Sequence, residues 1–109
     1  MSYHLAKIPK GVLGQISKVE EEYQEFLDAK AQNCKIMMGL ELSDMFGAAL
    51  RYMCRYGVAS PDLQKYLEIM FAEAKLLNLS AKDLFTMSRI TSRAFDSGER
   101  VCKEKAGKD

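Results

Sequence analysis

Apolar residues recur at Val12, Ile16, Val19, Tyr23 and Phe26, at spacings of four and three. That period is one face of an α-helix and predicts a first helix over about residues 11–30. Pro9 with Lys10-Gly11 opens it, since proline is tolerated in a first turn. Asn33 is placed to cap a second helix, with Ile36, Met37, Leu40, Gly47 and Cys54 as its apolar set. Gly57, just beyond Arg55 and Tyr56, supplies the stop. Ser60-Pro61-Asp62 reads as cap, N1 proline and acidic first turn, starting a third helix through Leu63, Tyr66, Leu67, Met70, Phe71 and Ala74 to near Asn78. Ser80-Ala81-Lys82-Asp83 starts a fourth, with Ser80 as cap and an acid at N3. Its stripe is Leu84, Met87, Ile90 and then Ala94 or Phe95, and Gly98 ends it.

No strand alternation, repeat or low-complexity segment interrupts this pattern. The expectation is an all-α, four-helix bundle-like single domain spanning residues 1–109. Its ordered core covers about 10–98, with a charged tail from Glu99 that frays. The first two helices form an antiparallel hairpin, because only a few residues join them.

Composition narrows the function classes. Lys+Arg 16 against Asp+Glu 15 leaves almost no net charge, whereas a duplex-gripping face carries a basic excess, so no nucleic-acid partner is expected. The longest charge-free run falls short of the ~20 apolar residues a membrane span needs, and the start has no secretory pattern. A cytoplasmic location without membrane contact follows as an expectation. Cys34, Cys54 and Cys102 are an odd count without C-x-x-C, and His4 is the only histidine, which argues against a disulfide framework and a Cys/His zinc site. With 48% hydrophobic residues in so short a chain, self-association is expected. The methionines Met37, Met38, Met45, Met53, Met70 and Met87 read as adaptable core and interface filler.

The chemistry lies in the carboxylates. The first helix contains Glu20-Glu21-Glu22-Tyr23-Gln24-Glu25 and the second Glu41-Leu42-Ser43-Asp44. Acids three apart share one side of a helix. On a helical wheel Glu22 borders the apolar face of the first helix and Glu25 lies just beyond it, while Glu21 points away. Leu40, Met37, Gly47 and Ile36 lie within about 80° of Asp44, which puts Asp44 inside the apolar stripe of the second helix and Glu41 at its edge. An ionised carboxylate so placed costs several kcal/mol, roughly, unless paired or metal-bound. Four acids converging across a hairpin repel one another, and a divalent cation removes that repulsion. All-oxygen donors select Mg²⁺, with Mn²⁺ also compatible. Such a site neutralises a polyphosphate and activates a water. A Glu-rich run is also compatible with an ordinary solvated helix face.

Glu21-Glu22-x-x-Glu25, fifteen intervening residues, then Glu41-x-x-Asp44 resembles the EExxE…ExxD signature of the MazG-like all-α nucleoside triphosphate pyrophosphohydrolases. Ile16-Ser17-Lys18-Val19 before the first motif and Gly47 after the second are similar too, so the likeness covers roughly residues 10–57. Arg93-Ala94-Phe95-x-Ser97-Gly98 resembles short, phage-type or mobile-element members. The resemblance implies metal ligation by Glu22, Glu25, Glu41 and Asp44, with Glu21 in a supporting or subunit-contact position. It implies hydrolysis of an NTP or dNTP to monophosphate and pyrophosphate by a metal-activated water; a nearby carboxylate, Glu25 or Glu21, is placed to take the water's proton. It also implies a homodimer or homotetramer, in the host cytoplasm if the chain is phage-encoded. Members often carry base-stacking tryptophans, and this chain has none. The related phosphoribosyl-ATP pyrophosphohydrolases share fold and motif, and a non-catalytic helical interaction module is the reading from a different class.

Candidate substrate-binding groups are Lys18, Arg51, Arg55, Arg89, Arg93 and His4. Arg51 and Arg55 lie seven and eleven residues beyond Asp44, on nearly its stripe, and guanidinium suits phosphate. Lys18 sits one turn before Glu22, placed for an i,i+4 ion pair or a phosphate. Arg89 and Arg93 are four apart on the fourth helix. His4 and Tyr3 precede the first helix, where the N-terminal segment is placed to fold over a base. Ser17, Ser43 and Ser88 have no His or Asp arrangement for nucleophilic catalysis.

Overall fold

Two asparagines and a glycine set the ends of the helices. Asn33 adopts φ 54° and Asn78 φ 59°, in the left-handed region that asparagine tolerates better than most residues. At each, the chain closes a Schellman motif. Asn33 N–H donates to the Lys30 carbonyl (3.0 Å) and Cys34 N–H to Ala29 (3.3 Å), while Asn78 N–H donates to Lys75 (3.1 Å) and Leu79 N–H to Ala74 (2.8 Å). Gly57, at φ 80°, ends the helix between them, its N–H donating to the Met53 carbonyl at 2.7 Å.

The computed structural model describes residues 4–57 and 60–90. Among them run α1 (Ile16–Ala31), α2 (Lys35–Tyr56), α3 (Pro61–Leu76) and α4 (residues 81–90), with no strand, so the chain is all-α. No helix among the described residues is long and apolar enough to cross a membrane. The expectations for Tyr3, Arg93, Ala94, Phe95, Gly98, Cys102 and the charged tail lie outside the described residues.

The start signals for α3 and α4 hold. Ser60 Oγ accepts from Leu63 N–H at 3.2 Å, with Pro61 at N1. Ser80 Oγ accepts from Asp83 N–H (3.1 Å) while Asp83 Oδ2 accepts from Ser80 N–H (2.9 Å), a reciprocal capping box. The start of α2 does not hold. Asn33 is not its cap: it occupies the left-handed position that terminates α1, and Cys34 precedes α2 without a side-chain cap bond.

The start of α1 also differs. Helix begins at Ile16 rather than near residue 11, because Gly14 sits at φ 85° and breaks the path. Residues 4–15 form instead a strap over the hairpin, and Val12 is exposed rather than a core position. Gly11 N–H donates to Glu21 Oε1 at 2.7 Å. A Cβ added at Gly11 would overlap the backbone carbonyl of Ser17, which is locked in the helix start and has nowhere to move. Gly11→Ala is therefore expected to detach the strap and destabilise the protein by about 1–3 kcal/mol, the scale of overpacking. Thermal melting checks this, and an unchanged melting temperature would mean the strap does not contribute to the fold.

One core joins all four helices. Val19, Phe26 and Ala29 of α1 meet Leu42, Met45, Ala48 and Ala49 of α2, Leu63, Met70 and Ala74 of α3, and Leu84 of α4. Lys30 Nζ donates to Glu73 Oε1 at 2.9 Å, linking α1 to α3. Met45 and Met70 fill the core as expected, whereas Met53 is exposed. The apolar stripe read for α2 is the wrong face. Ile36 is 79% and Leu40 39% exposed, and Cys54 is exposed too. The buried face is Glu41-Leu42-Met45-Ala48-Ala49, turned toward the core. A second side, at Gly39 and Gly47, approaches Leu79, Met87 and Ser88, and a Cβ at Gly47 would stand 2.7 Å from Ser88 Oγ. With apolar residues around much of its girth and small ones buried, α2 offers no single stripe to periodicity alone.

Candidate metal centre

The hairpin pairs residues whose numbers sum to a constant, Glu22 with Asp44 and Glu25 with Glu41, as antiparallel helices require. Carboxylate oxygens of Glu22, Glu41 and Asp44 lie within 4.8 Å of one another, and so do those of Glu21, Glu22 and Glu25. The four acids of the two motifs thus lie along one stretch of the α1–α2 seam in overlapping groups, with Glu22 common to both.

Their burial corrects the wheel reading. Glu41 is fully buried and faces the core side of α2, while Asp44 is half-buried at its edge, the reverse of the expected arrangement. Glu22 is buried and Glu25 half-buried. One oxygen of Glu22 pairs with Lys18 Nζ at 3.3 Å, but Oε2 is buried with no hydrogen-bond partner. An orphaned carboxylate oxygen in such a place is costly and suits a bound cation. Burial pushes the Glu22 carboxyl up to about 9, reinforced by Glu25 and the charge of Asp44 against a smaller opposing effect of Lys18. Burial likewise raises Asp44 to about 6, with the charge of Glu25 adding to it and Lys18 opposing. Without a cation, the cluster holds protons that ordinary carboxyls release.

Glu21 is buried by the strap, not turned outward. Its carboxylate accepts from Gly11 N–H (2.7 Å) and Lys18 Nζ (3.1 Å), with Lys10 Nζ at 3.9 Å. Burial opposes its ionisation, but these contacts prevail and hold it below the usual carboxylate range. Glu21 therefore positions Lys18 and the strap, and it is a poor proton acceptor.

The strap ends among the acids. His4 Nδ1 contacts Asp28 Oδ2 at 2.9 Å, and its Nε2 lies 3.1 Å from Glu41 Oε1 and 3.8 Å from Glu25 Oε2. Asp28 clamps the segment, accepting also from Leu5 N–H (3.1 Å), Ala6 N–H (3.0 Å) and Gln32 Nε2 (2.8 Å). Burial works against its charge, yet these four donors hold its carboxyl down at about 2. Burial lowers the His4 imidazole, but Asp28, Glu41 and Glu25 outweigh it and keep it above its ordinary value.

Asp28 belongs to neither acidic motif, although it continues the three-residue rhythm Glu22, Glu25, Asp28 on α1. His4, expected near a nucleotide base, stands against the carboxylates of Asp28 and Glu41. Lys18 lies at the cluster. Arg55 sits over the Tyr56 ring (5.4 Å) and near Gly14, Arg51 is exposed, and Arg89 stacks on Phe85 of α4 at 5.9 Å. Ser17 Oγ caps the strap by accepting from Val12 N–H at 3.0 Å.

No family model, curated protein or solved structure matches the chain. The acids and the geometry that gathers them carry the functional reading.

Proposed function

We propose that this protein is a Mg²⁺-dependent nucleotide pyrophosphohydrolase of the MazG-like all-α kind, converting an NTP or dNTP to its monophosphate and pyrophosphate. The observation that carries the reading is the convergence of Glu22, Glu25, Glu41 and Asp44, with a buried Glu22 oxygen left without a partner. Every donor among those four is a carboxylate oxygen, the donor set that suits Mg²⁺ or Mn²⁺. A divalent cation held there supplies charge neutralisation for a polyphosphate and lowers the pKa of a water.

The remaining chemistry belongs to the chain's own side chains. Glu22, Glu25, Glu41 and Asp44 would hold the cation, and Glu25, half-buried on the seam, is also the carboxylate placed to take a proton from the attacking water. The bonds of Glu21 to Gly11 and Lys18 favour Glu25 over Glu21 for that role. Lys18, one-quarter exposed beside Glu21 and Glu22, is the cation closest to the cluster that reaches solvent and a phosphate. The exposed Arg51 and Arg55, further along α2, extend the positive charge away from the acids. The active unit is a homodimer or homotetramer in the cytoplasm.

Product analysis tests the reading. Purified protein with Mg²⁺ and a panel of NTPs, dNTPs and dUTP is expected to release monophosphate and pyrophosphate from one or a few members, and chelation is expected to stop it. Orthophosphate as the product would place cleavage at the wrong linkage. Turnover of phosphoribosyl-ATP alone would transfer the chain to that branch. No turnover of any of these, with no Mg²⁺-dependent rise in melting temperature, would favour a helical interaction module.

A further inference from the structure

We propose that His4 is a nitrogen ligand of the metal centre, brought in by the N-terminal strap, and that it biases the site toward Mn²⁺ over Mg²⁺. The inference rests on the metal-centre reading above and adds to its four-carboxylate donor set. The first support is orientation. Asp28 takes the Nδ1 side of the ring at 2.9 Å and also binds the N–H groups of Leu5 and Ala6, so the ring and the backbone carrying it are held by one carboxylate. Metal-binding histidines are oriented in this way, one nitrogen on a carboxylate and the other on the ion. The second nitrogen, Nε2, is hydrogen-bonded to Glu41 Oε1 at 3.1 Å and lies 3.8 Å from Glu25 Oε2, so an ion bound between them would replace that proton.

Those separations suit a shared ion. Two donors at right angles on a six-coordinate ion with bonds of roughly 2.1 Å stand about 3 Å apart, and wider angles give longer separations. His4 Nε2 with oxygens of Glu25 and Glu41 forms a set of potential ligand atoms within 4.8 Å of one another. Glu41 also belongs to the set with Glu22 and Asp44, and Glu25 to the set with Glu21 and Glu22. The buried Oε2 of Glu22, in the adjoining sets that share Glu25 and Glu41 with His4, has no hydrogen-bond partner, an independent sign that the carboxylate seam is built for a cation.

The consequence is selectivity. Imidazole is a softer donor than carboxylate and suits transition metals, whereas Mg²⁺ prefers oxygen throughout and parts reluctantly with its waters. A mixed nitrogen–oxygen set therefore favours Mn²⁺ relative to Mg²⁺. It also ties metal loading to closure of the strap, since Asp28, Gly11 and Glu21 hold the same segment that carries the imidazole.

His4 is the chain's only histidine, so isotope labelling identifies it without ambiguity. The experiment loads the full-length chain, with no polyhistidine tag, with Mn²⁺ and records pulsed electron paramagnetic resonance of the bound ion. Nitrogen-14 modulation is expected, replaced by a nitrogen-15 pattern when histidine alone is labelled, and absent in His4→Gln. In titrations, His4→Gln is expected to weaken Mn²⁺ binding by about 10–100-fold, on the scale of losing a metal-site partner, and Mg²⁺ binding by less. Mn²⁺ bound without any histidine nitrogen signal overturns this inference and leaves an oxygen-only centre. Equal weakening of both metals overturns the selectivity. No Mn²⁺ binding at all overturns the metal centre itself.

Discussion

Asp44→Asn is expected to have two effects of opposite sign: turnover falls, and the metal-free protein melts at a higher temperature. Asp44 is half-buried beside Glu22 and Glu25, and burial plus the charge of Glu25 raise its carboxyl to about 6. Above that pH it is ionised at a cost, and asparagine keeps the shape while removing the charge. The relief is worth about 1–3 kcal/mol from a shift of this size, toward the lower end because the group is partly solvated. In a chain of this length that amounts to roughly 4–8 °C per kcal/mol. The same replacement removes a metal donor, and turnover is expected to drop by about 100-fold or more, the scale of losing one group that stabilises developing charge. Melting in chelator, melting in Mg²⁺ and a rate assay separate the effects. A variant that turns over normally would remove Asp44 from the site. One that melts lower in chelator would make Asp44 a structural pair instead. Stability lost to the native charge cluster is the signature of a functional site, where activity and stability pull apart.

In chelator, the wild-type protein is expected to lose stability as pH rises from about 5.5 to 8.5, and divalent metal is expected to reverse the trend. Glu22 in the folded protein ionises near 9 against an ordinary value of 4.5. Between those values the folded state keeps a proton that the unfolded chain has released. Its contribution is therefore fully present below 4.5 and lost as pH rises through about 9. One such proton gives a slope of at most about 1.4 kcal/mol per pH unit. Asp44 adds a loss between 3.8 and about 6. His4, also raised, contributes in the same direction, its stabilisation disappearing as pH climbs through its folded value. Asp28 runs the other way, but its carboxyl titrates near 2, so its hold on the strap is intact throughout this window. Because a metal ion displaces the retained protons, its stabilising effect grows with pH. Melting curves at several pH values, with chelator and with Mg²⁺ or Mn²⁺, provide the check. A flat profile in chelator, or a metal effect that shrinks toward high pH, would show that the carboxylates are not coupled as described.

Several elements were legible because the signal and its cause are local. Ser60-Pro61-Asp62 and Ser80-x-x-Asp83 specify helix starts through bonds within one turn, and Gly57 ends α2 through its own backbone freedom. Other elements were not. Asn33 looks like a cap, and its left-handed turn at the end of α1 uses the same residue preference in the opposite sense. The buried face of α2 is hidden from hydropathy because Ile36 and Leu40 are apolar yet exposed, whereas Glu41 and Ser43 are polar yet fully buried. A hydropathy pattern ranks residues by their transfer tendency and has no means of registering a neighbour that makes burial of a carboxylate tolerable.

The same division runs through the site. The spacing of Glu22, Glu25, Glu41 and Asp44, with a short turn between two long helices, was enough by itself to determine that the acids meet, since a three-residue rhythm and an antiparallel hairpin leave little choice of register. Tertiary structure alone decided what surrounds them. The path of residues 4–15 depends on Gly11, Gly14, Glu21 and Asp28 acting together across ten to more than twenty positions. No periodicity relates His4 to Asp28 or Glu41, because an irregular strap has no repeat, and long-range hydrogen bonds leave no mark in the order of residues. Helical geometry is written in local sequence; the closing of a segment over a charged seam is decided only when the helices are packed and their unsatisfied groups find partners.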